Sequence, residues 1–213
     1  MKLTKHEHAC VVAEKDGTSI VIDPGSFSQN AAEIIAGGDV ILITHEHFDH
    51  VNVDAINGAL ADRPDLKVYA PESLRKLFGD HTGQFNPVTA GDQLELGAFD
   101  VTVHGWQHAV IHLAIPVVAN VGYLLDGTVY HPGDAYFVPE VPVTTLLLPT
   151  SGPWMRVGEA IDYVRAVQPE QTVQIHEALL SDIGLGLAGN LLGQNGPTGT
   201  SFTQVPVGQS LTV

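Results

Sequence analysis

Short runs of apolar residues, separated by turn-forming residues, recur along the chain and predict many short β-strands. Val40-Ile41-Leu42-Ile43 is the clearest run, because it is rich in β-branched residues and follows Gly37-Gly38-Asp39. Such a pattern is typical of a fully buried strand. Asp16-Gly17 and Asp126-Gly127 each separate two apolar runs, and Asp-Gly readily adopts the positive φ of a tight turn. We therefore predict hairpins over residues 10–22 and 121–130.

Several segments have apolar residues at helical spacing. The strongest runs from Met155 to Val167, with Pro169 shortly after its end. A second helix is predicted from Val53 to Ala61, and a third opens at Pro71-Glu72-Ser73, where proline suits the first helical position. A glycine-rich fourth helix is predicted from Ser181 to Leu192.

The middle of the chain contains three short strand-like runs, at Pro87-Val88, Gln93–Leu96 and Phe99–His104. The turns between them predict a β-meander. On either side the order of hairpin, strand, loop and helix repeats loosely, so the chain is expected to split into two halves near residue 100. Because no linker or low-complexity segment separates the halves, we predict one α+β domain over residues 1–213.

Composition and charge narrow the function. The chain has 213 residues, 44% of them apolar, and a net charge of −15. That charge disfavours nucleic acid and anionic membranes as partners, because both require basic surfaces. Cys10 is the only cysteine, so an internal disulfide is excluded. With no apolar leader or spanning segment, we expect a cytoplasmic protein with a small-molecule substrate, and the sequence is compatible with a homo-oligomer.

The chemistry is concentrated in Thr44-His45-Glu46-His47-Phe48-Asp49-His50, directly after the strand that ends at Ile43. Imidazole and carboxylate are the nitrogen and oxygen ligands of zinc and related metals. In a loop of alternating direction, His45 and His47 can face one side while Asp49 and His50 serve another. The loop therefore predicts two divalent metal ions. Zinc is the expected metal, with manganese, iron or nickel as alternatives.

Metal-competent side chains also follow other apolar runs. His108 comes after the run that ends at Trp106, Asp134 follows Tyr130, and His176 follows Ile175 directly. Strand ends hold side chains rigidly, while the adjoining loops leave room for a substrate. We therefore expect these residues to meet the His-rich loop in one site.

The run from His45 to His50 matches an HxHxDH signature, and through it the chain resembles the metallo-β-lactamase superfamily. His108, Asp134 and His176 match the later ligands of that family in order and approximate spacing. The segments 6–10 and 21–25 are further similar to a branch of small metal-dependent hydrolases that includes ascorbate-6-phosphate lactonase-like proteins. The resemblance implies a four-layer αββα sandwich with the metals at one edge, between the sheets.

The resemblance also implies how the ligands are divided. His45, His47 and His108 would hold the first metal ion. Asp49, His50 and His176 would hold the second, with Asp134 bridging the two. Two adjacent cations can lower the pKa of a shared water enough to give hydroxide near neutral pH. Asp49 or a metal-bound water would then pass a proton to the leaving group, which makes Asp49 and Asp134 the expected catalytic residues.

Other residues have competing interpretations. His112 is the alternative to His108 as a ligand, or a contact to the substrate. The resemblance places His8 and Asp23 near the metals, although His8 could be a surface residue and Asp23 could form an Asx-turn. His131 is interpreted as a structural hydrogen-bonding residue. Four residues beside the predicted rim could contact a substrate or simply pack: Trp106, Asn120, Tyr136 and Trp154.

These observations favour a dinuclear metal-dependent hydrolase whose metal-bridging hydroxide attacks a small ester, lactone, amide or phosphodiester. An oxidoreductase or single-iron dioxygenase on the same scaffold is the first alternative. The complete second set of Asp49, His50 and His176 favours two metals and therefore hydrolysis. A non-catalytic binding protein is the second alternative, but it would have no physical reason to keep such a costly polar cluster.

Overall fold

The computed structural model describes the backbone of residues 1–213 and their side chains, with the exception of the side chain of Asp80. Four α-helices are present: α1 (Ala31–Ala36), α2 (Val53–Asp62), α3 (Val157–Val167) and α4 (Asp182–Leu192). The strands are β1 (Lys2–Lys5), β2 (Val11–Lys15), β3 (Thr18–Ile22), β4 (Val40–Leu42), β5 (Lys67–Pro71), β6 (Phe85–Val88), β7 (Gln93–Leu96), β8 (Phe99–His104), β9 (Gly122–Leu125), β10 (Val129–His131), β11 (Thr145–Pro149), β12 (Gln171–Ile175), β13 (Ser201–Thr203) and β14 (Ser210–Thr212).

The strands form two seven-stranded mixed sheets. The first has the order β14-β1-β2-β3-β4-β5-β6, and the second has the order β13-β12-β11-β10-β9-β8-β7. The two predicted hairpins are present as β2-β3 and β9-β10, with positive φ at the Asp-Gly pairs 16–17 and 126–127. Both hairpin predictions are therefore confirmed.

The packing of side chains defines four layers. Between the sheets lies one apolar core, to which strands of both sheets contribute residues such as Ile22, Leu42 and Val103. Alternate residues of the same strands point outwards: Ile41 packs in the cluster that contains α2, and Leu146 packs in the cluster that contains α3. The order helix, sheet, sheet, helix confirms the predicted αββα sandwich of the α+β class.

The predicted β-meander in the middle of the chain is wrong at its first strand, whereas the antiparallel pairing of Gln93–Leu96 with Phe99–His104 is confirmed. β6 pairs in parallel with β5 of the first sheet, whereas β7 pairs with β8 of the second sheet. The chain therefore crosses from one sheet to the other between Val88 and Gln93, not near residue 100, and β14 returns to the first sheet. Turn residues reveal that the chain bends, but they do not reveal which sheet receives the next strand.

The helix predictions agree with the structure except after Pro71. There the chain forms a 3₁₀-helix from Glu72 to Leu77, in which the side chain of Leu74 is buried. α2 begins where predicted, and the Asn52 side chain caps it by accepting a hydrogen bond from Ala55 N at 3.2 Å. In the part of the chain that the structure describes, no helix is long and apolar enough to cross a membrane.

Parallel pairing decides where the polar loops meet. β3 and β4 run in parallel in the first sheet, and so do β10, β11 and β12 in the second. The carboxyl ends of parallel strands lie at one edge of a sheet, so the loops that follow these strands come together. Val121 N donates to Thr44 O at 3.0 Å and His176 N donates to His8 O at 2.9 Å. These bonds hold the loops of the two sheets against each other.

Candidate metal centre

Two groups of side chains at this edge are close enough to share a metal ion. His45, His47, His108 and Asp134 form the first group, and His8, Asp49, His50 and His176 form the second; in each, one ligand atom per residue lies within 4.8 Å of the others. All seven predicted ligands fall into these groups: the six that were each assigned to one ion divide as predicted, and Asp134, expected as a bridge, is in the first group. His8 joins them as an eighth member. It is 1% exposed, so its interpretation as a surface histidine is wrong.

Asp134 lies between the two groups. Its Oδ1 is 3.1 Å from His50 Nε2, and its Oδ2 is 3.0 Å from His176 Nε2. Oδ2 is also 3.4 Å from Nε2 of His108, a member of the first group. The Trp154 indole donates a hydrogen bond to the same oxygen at 2.7 Å and so orients the carboxylate. These distances give Asp134 the position that a bridging ligand needs.

Asp23 and Thr44 set the orientation of two imidazoles beneath this site. Asp23 Oδ2 accepts a hydrogen bond from Thr44 Oγ1 at 2.7 Å, which uses the only hydroxyl proton of Thr44. His45 Nδ1, 3.0 Å from Thr44 Oγ1, must therefore be the donor in that pair. His50 Nδ1 donates to Asp23 Oδ2 at 2.7 Å, because a carboxylate can only accept. In both imidazoles Nε2 points towards Asp134, and in the neutral ring it carries the lone pair.

The same arrangement is found at His108. Its Nδ1 donates to the carbonyl oxygen of Ala109 at 2.5 Å, which again leaves the lone pair on Nε2. Within the described residues, Nε2 of His45, His50, His108 and His176 is buried and makes no hydrogen bond of acceptable geometry, although each lies 3.0–3.9 Å from a carboxylate oxygen of Asp134. Buried polar atoms are rarely left without a partner. Histidines whose other nitrogen is held by a carboxylate or carbonyl are typical metal ligands, so this donor set fits a metal site.

The electrostatics of the site favour ionised carboxylates, neutral His45 and His8, and a protonated His50. Burial lowers the pKa of His45 well below its ordinary value and lowers the pKa of His8 to about 4. Burial alone would raise the pKa of Asp134, but the neighbouring His50 and His176 hold it well below its usual range. Burial would lower the pKa of His50, but the carboxylates of Asp134 and Asp23 raise it. The centre therefore attracts positive charge.

Backbone strain is concentrated at the same place. His8, Asp23 and His176 have φ of 61°, 48° and 60°, which is uncommon for residues other than glycine. The ring of His8 lies 3.7 Å from the ring of His176, and its Nε2 is 3.1 Å from Asp49 Oδ2. Strained residues of this kind cluster at functional sites, where the surrounding structure holds them.

Two glycines let the backbone approach these side chains closely. A Cβ at Gly25 would overlap the carbonyl oxygen of Asp49. Gly133 has φ of 64°, and a Cβ there would overlap Asn120 Oδ1 and lie 2.7 Å from Thr44 Cβ. Asn120 is buried, accepts a hydrogen bond from Asp134 N at 3.0 Å and donates one to Pro132 O at 3.0 Å. It therefore positions the backbone that carries Asp134.

The structure separates the predicted ligands from the competing histidines. His112 is exposed and accepts a hydrogen bond from Ala114 N at 3.1 Å; it belongs to neither group. His104 lies within β8, with its ring 5.8 Å from the ring of Tyr130. His131 donates to Ala9 O at 2.9 Å, which agrees with its interpretation as a structural residue.

The residues expected at the rim have different surroundings. Trp106 is 64% exposed. Tyr136 stacks on Tyr163 and donates to Pro149 O at 3.0 Å, so it packs the fold.

The carboxylate oxygens of Asp23 accept hydrogen bonds from Thr44 and His50, so the interpretation of its side chain as an Asx-turn is wrong.

Sequence reasoning missed the parts played by Thr44 and Trp154. Thr44 stands directly before His45, but a hydroxyl next to a ligand motif carries no signal of its own. Trp154 follows Gly152-Pro153, a turn far along the chain from Asp134. Only the packing of α3 and its preceding loop brings the indole to that carboxylate.

Comparison with known proteins agrees with this geometry. A Beta-lactamase superfamily domain matches residues 2–176. Protein Rv0786c of Mycobacterium tuberculosis is 40% identical over 192 residues, which cover 88% of this chain and 89% of the relative. A UPF0173 metal-dependent hydrolase of Geobacillus sp. is 33% identical over 147 residues, 63% of each chain. The structure of Igni18, a metallo hydrolase from Ignicoccus hospitalis, covers 99% of this chain and 97% of its own, with 20% identity and a TM-score of 0.75.

The match to the superfamily domain covers residues 2–176 and so includes the whole candidate site. The finer similarity to ascorbate-6-phosphate lactonase-like proteins stays a prediction. With the αββα sandwich, the ordered ligand motifs and the matching domain together, the chain belongs to the metallo-β-lactamase superfamily.

Proposed function

We propose that the protein is a dinuclear metal-dependent hydrolase acting on a small ester, lactone, amide or phosphodiester. The observation that supports this most is the convergence of four buried Nε2 atoms on Asp134, with Nδ1 of three of the imidazoles held by Thr44, Asp23 and Ala109 O. The Geobacillus relative is named a metal-dependent hydrolase, which agrees with this class of reaction.

In this proposal His45, His47 and His108 would hold one cation, and Asp49, His50 and His176 would hold the second. Asp134 would contribute to both sites. The nitrogen and oxygen donor set suits zinc, and it also accepts manganese, iron or nickel. When bound, two such cations would provide a hydroxide nucleophile at neutral pH and neutralise the charge that develops on the substrate.

The protein's own residues supply orientation. Asp23 and Thr44 hold the rings of His50 and His45, and Trp154 holds the carboxylate of Asp134. Burial would raise the pKa of Asp49, but the hydrogen bond with His8 and the nearby His50 lower it to about 2. A carboxylate with that pKa is a poor proton donor. The low pKa therefore favours a role for Asp49 as a metal ligand over a role as the proton donor to the leaving group.

Metal stoichiometry and hydrolysis, measured on the same samples, test the proposal. Elemental analysis after zinc loading should give about two metals per chain, and the loaded protein should hydrolyse nitrophenyl esters or bis-nitrophenyl phosphate. Asp134→Ala should lose both metals and both activities, because it removes the shared carboxylate. The control is Asp162→Ala, an exposed carboxylate on α3, which should retain them.

A protein that is folded by circular dichroism yet binds no metal would contradict the proposal. One iron per chain, together with turnover that requires dioxygen, would instead support the dioxygenase alternative.

A further inference from the structure

The pocket above the metal centre has a polar floor and apolar walls. It is a cavity of about 600 Å³, and His47, Asp49, Asp134 and other members of the two metal-binding groups form its floor. Six apolar side chains form most of the rest of its lining: Phe27, Phe48, Ile111, Pro153, Trp154 and Leu179. A cavity of this kind holds an apolar ligand whose polar group meets the few polar residues at its base.

Two of the wall residues are unusually exposed for apolar side chains. Phe48 is 64% exposed and Leu179 is 61% exposed. Phe48 lies within the His-rich loop, and its ring meets that of Phe27 edge-on, with centroids 5.6 Å apart. Leu179 lies three residues after His176. Contact with an apolar ligand would remove these surfaces from water, which is favourable in proportion to the area covered.

The lining offers no cation of its own to an anionic substrate. Among the described side chains, no lysine or arginine lines this pocket. Lys76 reaches the edge of the pocket only through Glu46, with Nζ 3.2 Å from the carboxylate oxygen Oε2. Sites that recognise phosphate or carboxylate groups normally use arginine or lysine. A charged group held away from the metals would therefore meet apolar walls and the carboxylate of Glu46.

Resting on the proposed hydrolase function, we propose that the substrate is an uncharged ester, lactone or amide that carries an apolar group. Its scissile bond lies over the polar floor, and its apolar group contacts Phe48, Leu179 and the neighbouring wall. This narrows the substrate class, because it disfavours sugar phosphates and other substrates with a distal negative charge.

A pair of nitrophenyl esters of matched length tests this on the zinc-loaded protein. The value of kcat/KM should rise at least tenfold from nitrophenyl acetate to nitrophenyl hexanoate, since each added methylene contributes up to roughly fourfold. The monoester of adipic acid has the same acyl length but ends in a carboxylate, and its kcat/KM should be at least tenfold below that of the hexanoate. Equal rates for acetate, hexanoate and adipate would overturn the inference.

Leu179→Lys places a cation on the wall at an exposed position, where folding is not at risk. It should reduce the preference for hexanoate over adipate at least fivefold. Ile183→Lys is the matched control, because Ile183 is 86% exposed on α4 and does not line the pocket. A shift of the same size in both variants would overturn the assignment of Leu179 to the substrate wall.

A binding measurement separates this inference from the proposed function. Trp106→Phe leaves Trp154 as the only tryptophan, so that its fluorescence reports on the pocket without any turnover. Saturable binding of 1-octanol, at least tenfold tighter than that of suberate, is expected. Octanol binding without hydrolysis of any ester would support the apolar ligand class and contradict the hydrolase. Hydrolysis without octanol binding or chain-length preference would support the hydrolase and overturn this inference.

Discussion

The carboxylate of Asp23 accepts hydrogen bonds from Thr44 N at 2.8 Å, from Thr44 Oγ1 at 2.7 Å and from His50 Nδ1 at 2.7 Å. It is fully buried and lies below both metal-binding groups. Through Thr44 it sets the tautomer of His45, and directly it sets that of His50. One residue therefore orients an imidazole in each group.

Asp23→Asn is expected to weaken metal binding about 10- to 100-fold, as loss of such partners of ligands typically does. The amide of asparagine has a donor NH2 in place of one acceptor oxygen. This NH2 would face another donor, either the backbone N–H of Thr44 or the Thr44 hydroxyl and His50 Nδ1. Zinc affinity by competition with a chelator measures the effect. Asp39→Asn, an exposed carboxylate that accepts from Ser19 N, is the control. Equal affinity of Asp23→Asn and wild type would show that Asp23 does not orient the ligands.

At this scale, seven residues of the candidate metal centre were readable from the sequence, but the orientation of their side chains was not. His45, His47, Asp49 and His50 form a local motif, and a local motif is visible in sequence. The bond from His50 to Asp23 joins residues 27 positions apart, and that from Trp154 to Asp134 joins residues 20 apart. Bonds of this kind depend on which strands become neighbours.

At the scale of elements, β10 is bounded by two glycines with almost the same backbone conformation. Gly127 has φ of 63° in the hairpin turn before the strand, and Gly133 has φ of 64° in the loop after it. A Cβ at Gly127 would have nothing within 4 Å, whereas a Cβ at Gly133 would overlap Asn120 Oδ1. Alanine substitutions at the two glycines therefore distinguish the energetic cost of the positive φ from that of close packing.

Both Gly127→Ala and Gly133→Ala should lose about 1–2 kcal/mol of unfolding free energy from the left-handed conformation. Gly133→Ala should lose a further ~1–3 kcal/mol from overpacking. It should also bind metal more weakly, since Asn120 holds the backbone of Asp134. Urea denaturation and metal content measure the two effects. Losses of equal size in the two variants would mean that the approach to Asn120 has no energetic consequence.

The elements themselves were largely predictable because their signals are local. α2, α4, both hairpins and the strand after Gly38 were predicted close to their observed bounds. The segment after Pro71 was not, since proline with an acidic first turn suits a 3₁₀-helix as well as an α-helix. The assignment of β6 and β7 to different sheets was also missed, because strand partners are a tertiary property.

At the scale of the whole molecule, a partly buried ion pair joins the two sheets near the candidate metal centre. Lys5, at the end of β1, is 2% exposed. Its Nζ donates to Oε1 of Glu177, a residue just after β12, at 2.7 Å. It also donates to His6 O. Glu177 follows His176, and His8 is three residues from Lys5, so the pair lies beside the two imidazoles, tilted by 46° and 3.7 Å apart, at the second metal-binding group.

Lys5→Met should lower the unfolding free energy by about 3 kcal/mol, because removing one partner leaves the other without its counter-charge in a poorly solvated place. The double variant Lys5→Met/Glu177→Gln should recover part of that loss. Lys2, which is also on β1, forms an exposed ion pair with Glu14 of β2. Lys2→Met should therefore lower the unfolding free energy by less than about 1 kcal/mol. Thermal and urea denaturation compare the three. Equal losses for Lys5→Met and Lys2→Met would count against a bond between the sheets at Lys5.

By itself, the sequence determined the strands, the helices and the residues able to bind metal, because hydrophobic periodicity, turn residues and a ligand motif are properties of neighbouring positions. Only the tertiary structure decided the rest. It brought His108 rather than His112 to the candidate centre, brought His8 into the second group, and placed Thr44, Asn120 and Trp154 in contact with the predicted ligands or their backbone. Each of these outcomes depends on contacts between distant segments, which arise when parallel strands from two sheets end at a common edge.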